Sequence, residues 1–220
     1  MKKSKIKFDQ KIKLDVPEPS GICASSDKQS FFIVSDRGVV YNVDLEGNII
    51  RKAEKEGNDF EGIVNVDGQL YVVDEEEDEI LVYTEKDLSY VKKESFKIKK
   101  KENKGWEAIT YLPDQKQLIA FQESDPVRYY LFSENLELLD KKKIKIVPEV
   151  SAATYYEGFL WLVSDEEQLI SKVNLFEEEV IQQWEIDIKN PEGICFLHGQ
   201  LYVISDRKST LYMKESNLFL

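Results

Sequence analysis

The sequence holds a single histidine, two cysteines and two methionines in 220 residues. Two cysteines cannot make a disulfide scaffold, and nothing has the Cys/His spacing of a zinc site. No apolar run approaches the roughly 20 residues that cross a bilayer as a helix. The opening Met1-Lys2-Lys3-Ser4-Lys5 is basic but lacks the apolar stretch of a signal peptide behind it, so the chain reads as cytoplasmic or as a trimmed mature form. Positive charge is also in deficit. Against 42 Asp and Glu stand 30 Lys and Arg, a formal charge of −12. That deficit argues against binding nucleic acid, which requires cationic faces to replace phosphate counterions, and against docking on anionic lipid. There is no glycine-rich phosphate loop and no basic-aromatic stripe. With 42% hydrophobic residues, what remains is one folded, acidic domain long enough to bury a sizeable core.

Five segments of the chain align. They open with Pro19-Ser20-Gly21-Ile22, Phe60-Glu61-Gly62-Ile63, Trp106-Glu107-Ala108-Ile109, Val150-Ser151-Ala152-Ala153 and Pro191-Glu192-Gly193-Ile194. Each continues to a second landmark, ending at Ser35-Asp36, Asp74-Glu75, Gln122-Glu123, Ser164-Asp165 and Ser205-Asp206. The openings lie 41, 46, 44 and 41 residues apart. A period in the forties with several short strands per unit is the mark of a β-propeller. In the second unit the strands read as Gly62–Val66, Leu70–Asp74, Glu79–Thr84 and Tyr90–Lys97, with turns at Asp67-Gly68 and Lys86-Asp87. The second strand of each unit is apolar on both faces, as in Leu160-Trp161-Leu162-Val163, which fits a sheet packed between two neighbours. The fourth is rich in lysine, as in Lys141-Lys142-Lys143, which fits an edge protected by charge. The fifth unit stops after its third strand, so the N-terminal stretch Lys11–Val16 is expected to supply the missing one and close the ring. The expected fold is all-β: a single five-bladed propeller over 1–220, with four-stranded antiparallel blades and no helix.

Equivalent positions in a propeller form rings. The starts of the innermost strands carry Ser20, Glu61, Glu107, Ser151 and Glu192, and the ends of the second strands carry Asp36, Glu75, Glu123, Asp165 and Asp206. Antiparallel pairing puts both sets at one end of each blade. For the outer set the plain alternative is a solvated acidic rim. For the inner set geometry is demanding, because two like charges about 6 Å apart repel by roughly 3 kcal/mol at an effective dielectric near 20, and three such pairs cost on the order of 8 kcal/mol. The cluster must therefore hold protons or a cation. Oxygen ligands select a hard cation, Ca²⁺ before Mg²⁺. The expected ligands are Glu61, Glu107 and Glu192 with the hydroxyls of Ser20 and Ser151.

Around them, Asp36, Glu75, Glu123, Asp165 and Asp206 are candidates to contact a ligand, as is Trp106, which precedes Glu107 and is expected to overhang the mouth. Arg37 and Arg207 each follow an outer-ring acid and could grip a carboxylate or phosphate; the plainer reading is that each balances the acids beside it. Cys23 and Cys195 occupy equivalent positions and read as buried thiols. His198 lies in a turn at the face opposite the rings, so no triad can be built at the mouth.

The opening motifs, with their Ser-Asp or Asp-Glu strand ends, resemble the SdiA-regulated (YjiK-like) family of bacterial β-propeller proteins. The stretches Pro17–Asn48, Asn58–Val73 and Asn190–Arg207 carry the likeness most clearly. The resemblance implies a small propeller, often exported or attached to the cell envelope, with no established activity. The glutamate of the family's Glu-Gly-Ile motif maps onto Glu61 and Glu192, and onto Glu107 with alanine in place of glycine; Ser20 and Ser151 depart from it. More distantly, the arrangement is similar to propeller lactonases and paraoxonases, which hold a cation at the channel mouth. Two functions are expected from this reading. One is a non-enzymatic, cation-stabilised module of the envelope, monomeric, that binds a small anionic ligand or another envelope protein. The other is a divalent-cation-dependent hydrolase of lactones, esters or phosphoesters, with Glu61 or Glu107 as base.

Overall fold

A computed structural model describes residues 4–54, 57–98, 105–123 and 126–215. The chain opens with Ser4–Lys5 (β1) and Gln10–Lys13 (β2). Five up-and-down units follow. The first is Pro19–Ala24 (β3), Phe31–Ser35 (β4), Val39–Val43 (β5) and Ile49–Lys52 (β6); the second is Phe60–Val66 (β7), Gln69–Asp74 (β8), Glu79–Thr84 (β9) and Tyr90–Ser95 (β10). The third is Trp106–Leu112 (β11), Gln117–Gln122 (β12), Arg128–Ser133 (β13) and Leu138–Lys143 (β14). The fourth is Ala152–Tyr156 (β15), Phe159–Ser164 (β16), Leu169–Asn174 (β17) and Glu179–Glu185 (β18); the last is Pro191–Leu197 (β19), Gln200–Ser205 (β20) and Thr210–Lys214 (β21). Each unit forms its own antiparallel sheet. The innermost strands β3, β7, β11, β15 and β19 lie side by side in that order, and β19 returns against β3, so the sheets close into a five-bladed propeller. There is no helix among the described residues.

The sequence pattern explains this arrangement. The second strands are buried over all but their first residue, and Phe31–Ser35 throughout, because each is covered by a blade on either side. Five apolar clusters fill the five gaps; one joins Phe31 and Ile33 to Leu197 and Tyr202 between the last and first blades. The outer strand Leu138–Lys143 is exposed along its whole length, in keeping with its lysines. Inner hairpins turn on Asp67-Gly68, Glu157-Gly158 and His198-Gly199, where both residues have positive φ (48° and 82°, 50° and 84°, 52° and 75°). That geometry matches the twist of the flanking strands. Cys23 and Cys195 are free and buried, each in a different gap between blades.

The ring is closed as the sequence suggests. β2 pairs antiparallel with β21, from Gln10 opposite Met213 to Lys13 opposite Thr210. A second tie was not anticipated: β1 runs parallel to β18 and adds a fifth strand to the fourth blade, with Ser4 opposite Trp184. Ile6, between the two, is buried with Trp161 and Trp184. One N-terminal segment thus straddles the seam between the last two blades.

Candidate functional site

The channel mouth is made by a backbone irregularity repeated around the ring. In four blades the inner strand opens with a β-bulge. Pro19 pairs with Ser35 and Gly21 with Val34, so that Ser20 is the extra residue. Glu61, Glu107 and Glu192 occupy the same extra position. A bulge re-aims the side chain it carries. Here it turns the three glutamates into one cavity of about 10 Å³, which they line with Gly21, Gly62, Ala108, Ala152 and Gly193. That is room for about one water or one ion. Small residues are needed for this closeness: a Cβ on Gly62 would lie 2.8 Å from the amide nitrogen of Ile109 and 3.0 Å from Cα of Ala108.

The two serines of the ring bond across to the neighbouring blades. Ser20 donates its hydroxyl proton to the carbonyl of Phe60, and Ser151 donates to the carbonyl of Pro191 at 2.8 Å. Each clasps its blade to the next, and neither lines the cavity. Two further carboxylates come from the turn after β4 and from the loop ahead of β7. Oxygens of Asp36, Asp59 and Glu61 lie within 4.8 Å of one another. Calcium–oxygen distances are about 2.4 Å, so oxygens up to about 5 Å apart can share one ion. Within this group Oδ1 of Asp36 is buried and has no hydrogen-bond partner of its own, while the nearby Ser20 hydroxyl acts on the same carboxyl and opposes the rise caused by burial; outside the group, Oδ1 of Asp206 is likewise buried and unpartnered.

The other outer-ring residues surround this core. Glu75 accepts from the Gly105 amide at 2.8 Å, and Asp165 from the side chain of Gln168 at 2.9 Å. Asp206 makes a long contact of 3.5 Å with the Asn190 side chain. Glu75 and Glu123 both act electrostatically on Glu107. Two acids not singled out from the sequence belong here as well. Asp59 and Glu149 each stand two residues before an inner-ring position. The same offset holds Glu18 in the first unit and Asn190 in the last, so the alignment that located the ring also contained them.

Burial and mutual repulsion raise the pKa values together. Burial lifts Glu61 well above the carboxylate range, and the charges of Glu107, Asp36, Asp59 and Glu192 add to it. Glu107 is raised likewise, by burial and then by Glu75, Glu123 and Glu192. Burial, with Asp165 and Asp206 nearby, pushes Glu192 up to about 8. Burial also takes Glu149 to about 7, and with Glu75 beside it Asp59 reaches about 6. Asp36 and Asp165 are raised, chiefly by burial. The charges that act most strongly on the three inner glutamates are other carboxylates; the site is a concentration of protonatable oxygens around a hole of ionic size.

Two expectations are corrected. Trp106 does not overhang the mouth. It is fully buried between the second and third blades, edge-on to Tyr130 at 4.8 Å. The position before each inner-ring residue faces this packing, as Phe60 and Val150 show. Arg37 does not reach inward for a ligand. Its guanidinium pairs with the exposed carboxylate of Glu18 at 2.8 Å, the plainer of the two readings. Arg207 is exposed. His198 lines a cavity at the opposite end of the channel and contacts the carbonyl of Lys28 at 2.9 Å.

A five-bladed propeller whose channel opens on clustered acids defines the class of protein. The particular family follows from the sequence: residues 3–214 match the SdiA-regulated family, and the chain belongs to it. No curated protein matches it. Among solved structures it is similar to a glutaminyl cyclase from Myxococcus xanthus, with TM-score 0.77 and 11% identity over 94% of this chain and 95% of that one. It is also similar to a chain of a nidogen/laminin complex (TM-score 0.58, 14% identity, covering 90% of this chain and 68% of that one). A third likeness is to a chain of hydrazine synthase from Kuenenia stuttgartiensis (TM-score 0.57, 16% identity, 88% and 57%). At these identities the likeness is one of fold.

Proposed function

We propose that the channel mouth binds one hard divalent cation, Ca²⁺ in preference to Mg²⁺, and that the protein is a non-enzymatic binding module of the cell envelope. In this reading the cation holds the mouth together and bridges to a small anionic ligand or to another envelope protein. The observation that carries it is the buried, unpartnered Oδ1 of Asp36 beside Asp59 and Glu61, with oxygens close enough to share one ion. A buried carboxylate oxygen without a partner is costly unless a proton or a metal meets it. Glu61, Glu107 and Glu192 line the adjoining hole, and carbonyls and water would complete the six to eight ligands that Ca²⁺ takes. The envelope setting rests on family membership. Thermal melts with Ca²⁺ and with chelator test the cation: a ligand of the native state raises the melting temperature. No shift with Ca²⁺, together with a Glu61→Gln variant of unchanged or higher stability, would leave protons alone as the occupants.

A second reading is a cation-dependent hydrolase of lactones, esters or phosphoesters. It is favoured by Glu149 near 7 and Glu192 near 8, values suited to proton transfer at neutral pH. The metal would polarise the substrate oxygen, and Glu61 or Glu107 would take the proton. Turnover of aryl esters, lactones and phosphoesters separates the two readings. Activity lost in Glu107→Gln supports the hydrolase; absence of turnover on all three classes supports the binding module.

A further inference from the structure

The other end of the channel is built from different chemistry. Two adjoining cavities, of about 490 and 260 Å³, open there and share Ala24, Asn65, Tyr156 and Phe196. Together they fall within the size range of small-molecule sites. Their walls are aromatic. Tyr156 and Phe196 stack at 4.0 Å with their planes 8° apart, and Tyr111 and Tyr155 line the inner part. Carboxylates stand around these rings. Tyr111 donates its hydroxyl to Glu134, Tyr155 donates to Asp114 at 3.2 Å, and Asp67 lies on the cavity wall. Among the described residues lining the two cavities, Lys28 is the one with a fixed positive charge. The Tyr111 hydroxyl is pushed up to about 12, by burial first and then by Glu134 and Asp67, which agrees with a negative potential at the rings.

Aromatic faces attract cations through their quadrupole, and neighbouring carboxylates strengthen that attraction and repel anions. We propose that this mouth binds an organic cation, an ammonium group carried on a flat apolar body. The body lies against the Tyr156–Phe196 pair, and the charge faces Asp67, Asp114 and Glu134. This site is separate from the acidic mouth and does not depend on a metal.

Two probes of similar shape and opposite charge test it: 2-phenylethylammonium and 3-phenylpropionate, each titrated into the full chain and followed by calorimetry and by the tyrosine ring resonances. The ammonium probe is expected to bind at least about tenfold more tightly than the carboxylate. Tyr156→Ala should weaken it about tenfold, and the exposed-rim double variant Asp114→Asn/Glu134→Gln several-fold, while Glu61→Gln leaves it unchanged. The rim variant keeps the test informative should Tyr156→Ala fail to fold. Equal affinity for both probes, no binding of the ammonium probe up to about 10 mM, or loss of binding in Glu61→Gln but in neither mouth variant would overturn the assignment.

Discussion

At pH 8, Ca²⁺ should raise the melting temperature of this protein markedly; at pH 5 it should do so weakly or not at all. Glu192 is raised from an ordinary 4.5 to about 8 and Glu149 to about 7. A carboxyl raised in this way keeps its proton in the folded state over a range where the unfolded chain has already lost it. The metal-free protein is therefore most stable below about pH 4.5, as far as these groups are concerned, and loses stability steadily up to about pH 8. For Glu192 the shift from 4.5 to about 8 amounts to about 5 kcal/mol. A cation replaces protons on the same oxygens. At about a thousand times its dissociation constant it adds about 4 kcal/mol, which for a chain of this length is a rise of about 8 to 16 °C. Melts at pH 5, 6.5 and 8 with Ca²⁺, Mg²⁺ and chelator measure this directly. Calorimetry in two buffers of different ionisation enthalpy should also detect protons released on binding. An equal Ca²⁺ shift at every pH would place the cation away from these acids. A metal-free stability that is flat between pH 5 and 8 would refute the electrostatic reasoning itself.

Glu107→Gln removes one member of the repelling cluster, so the metal-free variant should melt several degrees higher than the parent at pH 8 and respond less to Ca²⁺ in the same melts. Ser151→Ala leaves the buried Pro191 carbonyl without its donor; chemical denaturation should show a loss of about 1 to 3 kcal/mol, with the Ca²⁺ response intact. Removing residues 1–16 strips out Ile6, Leu14 and Val16, which are 2%, 1% and 0% exposed. At about 1.5 to 3 kcal/mol each, that loss rivals the stability of a whole domain, and circular dichroism should show no cooperative transition. A truncated chain that melts like the parent would show that the N-terminal strands contribute little.

The wheel and its blade count could be read from the sequence because the motif recurs at nearly even spacing and each second strand is apolar on both faces. The N-terminal closure could be read from a fifth unit that runs short. The bulge could not, since a single extra residue leaves no mark on the alternation of polar and apolar positions. Missing it is what misplaced Trp106: across a bulge, the residue before the glutamate points into the packing between blades. Asp59 and Glu149 were present in the alignment, two places ahead of the inner-ring position, but a loop position with no strand periodicity gives no direction for its side chain. The bonds made by the Ser20 and Ser151 hydroxyls could not be read, because their partners, the carbonyls of Phe60 and Pro191, are backbone groups forty residues away that carry no side-chain signature. β1 is two residues long and pairs with a strand some 180 residues distant, so local pattern was silent about it.

The N-terminal tie also dictates an order of events during biosynthesis. β2 must wait for β21, about 200 residues later in translation, before it has a partner. Until β21 has been made, the blades already formed are an open arc, and β2 lacks its partner. Ring closure is thus a single late step over a very long loop, which slows folding and leaves the nascent arc exposed to wrong pairings.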